Sequence, residues 1–121
     1  TMEFCNAGYG PMTYYSAAKK RVVEIPYNSL PAGVIEDESK YVNRQLQLSP
    51  GDIIISCTDG LMESFEIKYD HHGKENLFGI LQEQSAENAA SIKQAIISEI
   101  ADVIGTKKPH DDISLVISKI Q

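Results

Sequence analysis

The stretch Ile53-Ile54-Ile55-Ser56-Cys57-Thr58 is almost continuously apolar, and it ends on Asp59-Gly60. A short apolar run bounded by turn formers reads as a strand covered on both faces, which puts residues 53–58 in the middle of a sheet. A carboxylate at the end of such a strand is costly to bury unless something pairs with it. Asp59 therefore either caps the turn or helix that begins at Gly60, or it holds a cation.

The residues before this strand suggest its partner. Residues 41–48 alternate, with Val42, Leu46 and Leu48 on one side and Asn43, Gln45 and Gln47 on the other. Ser49-Pro50-Gly51-Asp52 follows, with Pro presetting φ at the second position of a type II turn and Gly accepting a positive φ at the third. The pattern predicts an antiparallel hairpin of 41–48 with 53–58.

Upstream, residues 2–7 and 12–18 read as strands joined by Gly8-Tyr9-Gly10-Pro11, and 21–25 as a third strand after a basic turn at Lys19-Lys20-Arg21. Pro26, Pro31 and Gly33 mark 26–40 as an ordered loop. Downstream, Gly60 to Phe65 reads as about one helical turn and 66–74 as a polar loop. Residues 75–83 read as a short helix with Leu77, Phe78 and Leu81 inward. The clearest helix is 86–104: Ala89, Ile92, Ile96, Ile100 and Val103 form one stripe, with Ser85 as N-cap and Gly105 as stop. Residues 112–120 read as a closing strand. Together these predict a mixed α/β (α+β) fold, mostly antiparallel, with the long helix laid on one sheet face.

Composition narrows the function. Of 121 residues, 42% are hydrophobic, enough for one packed domain, and the net charge of −6 argues against nucleic acid or an anionic membrane as main partner. There is no membrane-spanning apolar stretch, so the expectation is a cytoplasmic protein with no membrane insertion by this segment. Cys5 and Cys57 lie in apolar runs and read as buried thiols in a reducing compartment. The chain opens inside a strand-like run, as part of a longer polypeptide would.

Two acidic sites stand out: Asp59, and His110-Asp111-Asp112 ahead of the last strand. If strands 53–58 and 112–120 are antiparallel neighbours, the end of one lies beside the start of the other, and Asp59 meets Asp111. Two carboxylates that close repel unless protonated or bridged by a cation, and oxygen ligands favour Mg²⁺ or Mn²⁺ over Zn²⁺. Taken singly, each aspartate better suits a turn or cap; at the ends of two core strands together, the metal reading balances it. Asp70-His71-His72 reads as a solvated loop. Gly8-Tyr9-Gly10 lacks the spacing and lysine of a phosphate loop, and Ser56 and Ser114 lack the Gly-x-Ser-x-Gly elbow of a serine hydrolase.

Asn6-Ala7-Gly8-Tyr9, Leu30-Pro31-Ala32-Gly33, Leu48-Ser49-Pro50-Gly51-Asp52, Thr58-Asp59-Gly60, Phe78-Gly79 and Asp111-Asp112-Ile113-Ser114 follow one another in that order. This series resembles the C-terminal half of a PPM-type (protein phosphatase 2C-like) serine/threonine phosphatase, and within it the SpoIIE/RsbU branch. The resemblance implies a β-sandwich flanked by helices in an αββα arrangement, of which this chain is the C-terminal portion. It implies two Mn²⁺ or Mg²⁺ ions in the complete domain, with Asp59 and Asp111 as ligands and Gly60 and Asp112 supporting them. The implied reaction is metal-assisted hydrolysis of phosphoserine or phosphothreonine on a regulatory protein, such as an anti-anti-sigma factor, without a phosphoenzyme. Tyr9 stands where relatives commonly have His. The N-terminal Asp-Gly motif, whose aspartate bridges both ions, has no counterpart here. The chain alone is therefore expected to be inactive, to need the missing N-terminal half of the domain, and to self-associate through exposed strand edges. The alternative is a phosphatase-like module that only binds a partner; the presence of both Asp59 and Asp111 favours the enzyme.

Overall fold

The computed structural model describes residues 1–106 and 112–121. Six strands and three α-helices run in the order β1 (Met2–Phe4), β2 (Met12–Ser16), β3 (Arg21–Ile25), β4 (Arg44–Leu46), β5 (Ile53–Cys57), α1 (Asp59–Tyr69), α2 (Gly73–Glu83), α3 (Ala89–Thr106) and β6 (Leu115–Lys119) among these residues. A four-stranded antiparallel sheet has the order β3-β2-β5-β6, and β1 and β4 form a separate antiparallel pair. The apolar run does take an inner position, with Ile54 opposite Tyr14 on one side and Ile55 opposite Ile117 on the other.

The alternation of β5 sorts the layers. Ile53 and Ile55 point into the main core with Tyr15, Val22, Leu61, Phe65, Leu77, Leu81, Ile92, Ile96 and Ile100. The three helices thus cover one sheet face, as the stripe on α3 predicts. Burying side chains of this size contributes roughly 1.5–3 kcal/mol each relative to exposure, so this one layer is the main source of stability.

The predicted hairpin of 41–48 with 53–58 does not form. Residues 44–46 pair with β1 instead, with Met2 opposite Leu46. The turn at 49–52 is present, with Gly51 at φ +90° and Asp52 N donating to Ser49 O at 3.0 Å, but it carries the chain from one sheet to the other. Both edges of β5 are already taken, by β2 and β6. Asp52, 1% exposed, fastens the crossing: its carboxylate accepts from Tyr14 OH (2.8 Å), Ala17 N (2.8 Å) and Ser49 N (2.9 Å). Val42, which the alternation sets on the side of Leu46 and Leu48, is exposed.

The polar loop expected at 66–74 is helical at both ends. α1 continues to Tyr69, because Leu61, Phe65 and Tyr69 make a stripe at i, i+4 and i+8. Tyr69 stacks on Phe65 with ring centroids 6.1 Å apart. Lys68 on the outer side is held by α3, 3.2 Å from Glu99 and 3.3 Å from Asp102. Asp70 (φ +48°) and His71 (φ +71°) turn the chain, and α2 starts at the buried Gly73. Asp70, His71 and His72 are exposed, in agreement with a solvated turn.

α3 begins later than expected. Asn88 Oδ1 accepts from Ser91 N at 2.9 Å and is the cap, whereas Ser85 Oγ donates to Gln82 O at the end of α2. Gly105 does not end the helix, which runs to Thr106. Cys5, expected buried, is exposed. Among the described residues no helix is long and apolar enough to cross a membrane.

Candidate functional site

Asp59 is the first residue of α1, two residues beyond the end of β5, and it is exposed. Thr58 occupies the N-cap position of α1 but makes no side-chain bond to the helix. Its hydroxyl is used elsewhere: Thr58 Oγ1 donates to Asp112 O at 2.8 Å and accepts from Ser114 N at 2.8 Å, while Thr58 N donates to Ser114 O at 3.0 Å. The residue before Asp59 is thereby clasped to the segment that leads into β6. The expected juxtaposition of the end of β5 and the start of β6 is present in this backbone. His110 and Asp111 lie outside the described residues. Asp112 contributes a carbonyl to the clasp. Gly60 is buried in the first turn of α1, where its carbonyl accepts from Ser64 Oγ at 2.8 Å.

No arginine or lysine holds Asp59, and no hydrogen bond reaches its carboxylate, among the described residues. Two grooves meet there. One is open, lined by Asp59, Met62, Glu63, Glu66 and Ile67 of α1. In it, Glu63 Oε2 is buried without a hydrogen-bond partner among the described residues. Glu63 was not among the sequence candidates; it lies one helical turn after Asp59, at i+4, and only its packing sets it apart. The other groove runs between the loop 8–11 and the segment 27–31 and also reaches Asp59.

The loop 8–11 is held close by its own chemistry. Asn6, 7% exposed, donates to Gly10 O and accepts from Tyr9 N at 3.1 Å. Gly10 has φ +113°, and a Cβ there would lie 3.8 Å from Asp59 Oδ1. At Gly8, φ is +82° and a Cβ would meet the Pro31 ring at 2.7 Å. Glycine at 8 thus lets the loop approach the second segment, and at 10 it accepts the positive φ that brings the loop beside the aspartate.

Cys57 lies close by, but burial, with Asp59 and Glu24 adding to it, pushes its thiol up to about 11. It stays protonated at neutral pH and is no ready nucleophile. Among the described residues no group of three or more His, Cys, Asp or Glu side chains is placed to hold a metal ion.

A sequence model of the family described as Stage II sporulation protein E (SpoIIE) matches residues 1–121. The chain belongs to the SpoIIE family. Solved structures agree in fold. The PP2C phosphatase domain with a regulatory fragment of the cell fate determinant SpoIIE from Bacillus subtilis is 20% identical with a TM-score of 0.71, over 98% of this chain and 33% of that one. The SiaA-PP2C domain of Pseudomonas aeruginosa is 18% identical with a TM-score of 0.73, over 98% of this chain and 46% of that one. The RsbU and RsbW domains of a Mycobacterium tuberculosis protein are 18% identical with a TM-score of 0.66, over 98% of this chain and 32% of that one. The SpoIIE-family chain therefore has a PP2C-type fold and spans a third to a half of the length of these relatives. No curated protein matches it by sequence.

Proposed function

We propose that residues 1–121 are the C-terminal part of a metal-dependent serine/threonine phosphoprotein phosphatase domain, with Asp59 and Asp111 as ligands of Mn²⁺ or Mg²⁺. Asp59 carries the reading: an exposed carboxylate at the end of an inner strand, with no partner among the described residues, in a groove where Glu63 Oε2 also lacks one. Unpaired carboxylate oxygens suit a hard divalent cation. When bound, such ions make a water acidic enough to attack phosphorus and neutralise charge on the phosphoryl oxygens.

The chain's own residues position the site. Thr58 keeps Asp59 beside the segment that follows Asp111, and Asn6 sets the loop 8–11 against the carboxylate. Asp112 and Gly60 support this arrangement through their backbones. In the reaction water adds its oxygen to phosphorus, the bond from phosphorus to the serine or threonine oxygen breaks, and that oxygen takes a proton. The substrate class is a phosphorylated regulatory protein of the anti-anti-sigma type, acting in the cytoplasm in sigma-factor control. A complete site with two ions needs the preceding half of the domain, so the chain alone is inactive. Alone, it also associates through its uncovered sheet edges.

The test is manganese-dependent hydrolysis of p-nitrophenyl phosphate by the chain extended through the preceding half of its domain, and by the chain itself. The longer protein should be active. Asp59→Asn and Asp111→Asn should each lower its kcat by about a hundredfold or more, the scale of losing a group that stabilises transition-state charge. A longer protein inert with every divalent cation would replace the enzyme by the binding module.

A further inference from the structure

The groove between loop 8–11 and segment 27–31 has an apolar rim that the hydrolysis itself does not require. Tyr9 is 48% exposed, Tyr27 61% and Leu30 52%, and all three line the groove whose wall includes Asp59. Asp59 is the groove's one charged lining residue among those described. The rim is built on a fixed base. Beyond the Asn6 side-chain bonds, Asn6 N donates to Asn28 Oδ1 (3.1 Å), Ala32 N to Ala7 O (3.3 Å) and Val42 N to Ser29 Oγ (3.1 Å). These bonds tie the two segments and Val42 together under the rim, and what the rim offers a partner is aromatic and aliphatic surface. Tyrosine gives large contact area with few torsions to freeze, which suits a recognition surface.

We propose that Tyr9, Tyr27 and Leu30 select the substrate by packing on an apolar side chain that flanks the phosphorylated serine or threonine. The inference rests on the phosphatase reading. Continuity of the surface carries it: a phosphoryl group delivered to Asp59 is attached to a polypeptide, and one groove leading to Asp59 is walled by these residues. A small phosphate ester has nothing to place there, whereas a phosphopeptide does.

The experiment uses the longer manganese-loaded protein and three substrates: p-nitrophenyl phosphate, a phosphoserine peptide with leucines on both sides of the phosphoserine, and the same peptide with glycines. The wild type should favour the leucine peptide over the glycine peptide about tenfold in kcat/KM, chiefly through KM, as expected for an interface anchor. Tyr27→Ala with Leu30→Ala should erase that preference and lower the ratio of leucine-peptide to p-nitrophenyl phosphate hydrolysis by about the same factor.

A wild type indifferent to the flanks overturns the proposal, as does a double variant that keeps the preference. A parallel loss on all three substrates with a lowered melting temperature also overturns it, because the rest of the domain then covers the rim. Absence of p-nitrophenyl phosphate hydrolysis in the wild type is a different failure, since it removes the phosphatase reading itself.

Discussion

Single side chains set how the two sheets meet and where the candidate site lies. Asp52 shows the balance most clearly. Burial alone would raise its pKa, but bonds from Ser49 N, Ala17 N and Tyr14 OH outweigh this and hold the carboxyl below its ordinary value. A folded pKa below the unfolded one means that the stabilisation is complete above the unfolded value and lost as pH falls through the folded one. Acidification below about pH 4 should therefore weaken the chain. Asp52→Asn should cost on the order of 1–3 kcal/mol at neutral pH, because buried donors lose a charged acceptor. It should also flatten the acid dependence of the urea midpoint; an unchanged acid dependence would mean that Asp52 does not hold the crossing. Asp59 was legible in the sequence because a carboxylate after an apolar strand is conspicuous. Glu63 was not, since the same letter fits any solvated helix face and only tertiary packing hid its Oε2.

At the scale of elements, α3 and β5 were legible and the α1–α2 junction was not. Four isoleucine or valine residues of the α3 stripe, Ile92, Ile96, Ile100 and Val103, are buried, and such a stripe is a local signal. Residues 66–74 carry polar side chains and a glycine, which resemble a loop until neighbouring helices absorb them. Gly73 is the hinge of this packing: a Cβ there would sit 2.6 Å from Glu66 N and 2.7 Å from Phe65 C. Gly73→Ala must separate the two helices and should cost about 1–3 kcal/mol. A Cβ at Gly79, also in α2, would meet nothing within 4 Å. Gly79→Ala should therefore stabilise by about 0.5–1 kcal/mol through helix propensity alone. Thermal melts of both variants read opposite signs if the junction is packed this way, and the same sign if it is not.

The whole molecule is a helix layer on a four-stranded sheet with a second, two-stranded sheet beside it. Lys119 of β6 donates to Ser85 O at 2.8 Å and to Glu87 O, tying that strand to the α2–α3 connection. β6 pairs only with β5 among the described residues, and Val116 on it is 60% exposed. An open strand carrying apolar surface is a template for further pairing. The isolated chain should sediment as concentration-dependent oligomers, and Val116→Lys should shift it toward monomer; an unaltered distribution would place the contact elsewhere. By itself, the sequence determined the inner strand, the long helix, the order of motifs and the conspicuous aspartates. These rest on short-range patterns of apolar period, turn chemistry and charge. Only the tertiary structure decided that 44–46 joins β1, that α1 and α2 take up both ends of the apparent loop, and that an apolar rim runs up to Asp59. The reason is physical: which strand edge is free, and which polar group finds a partner, depend on residues far apart in the chain.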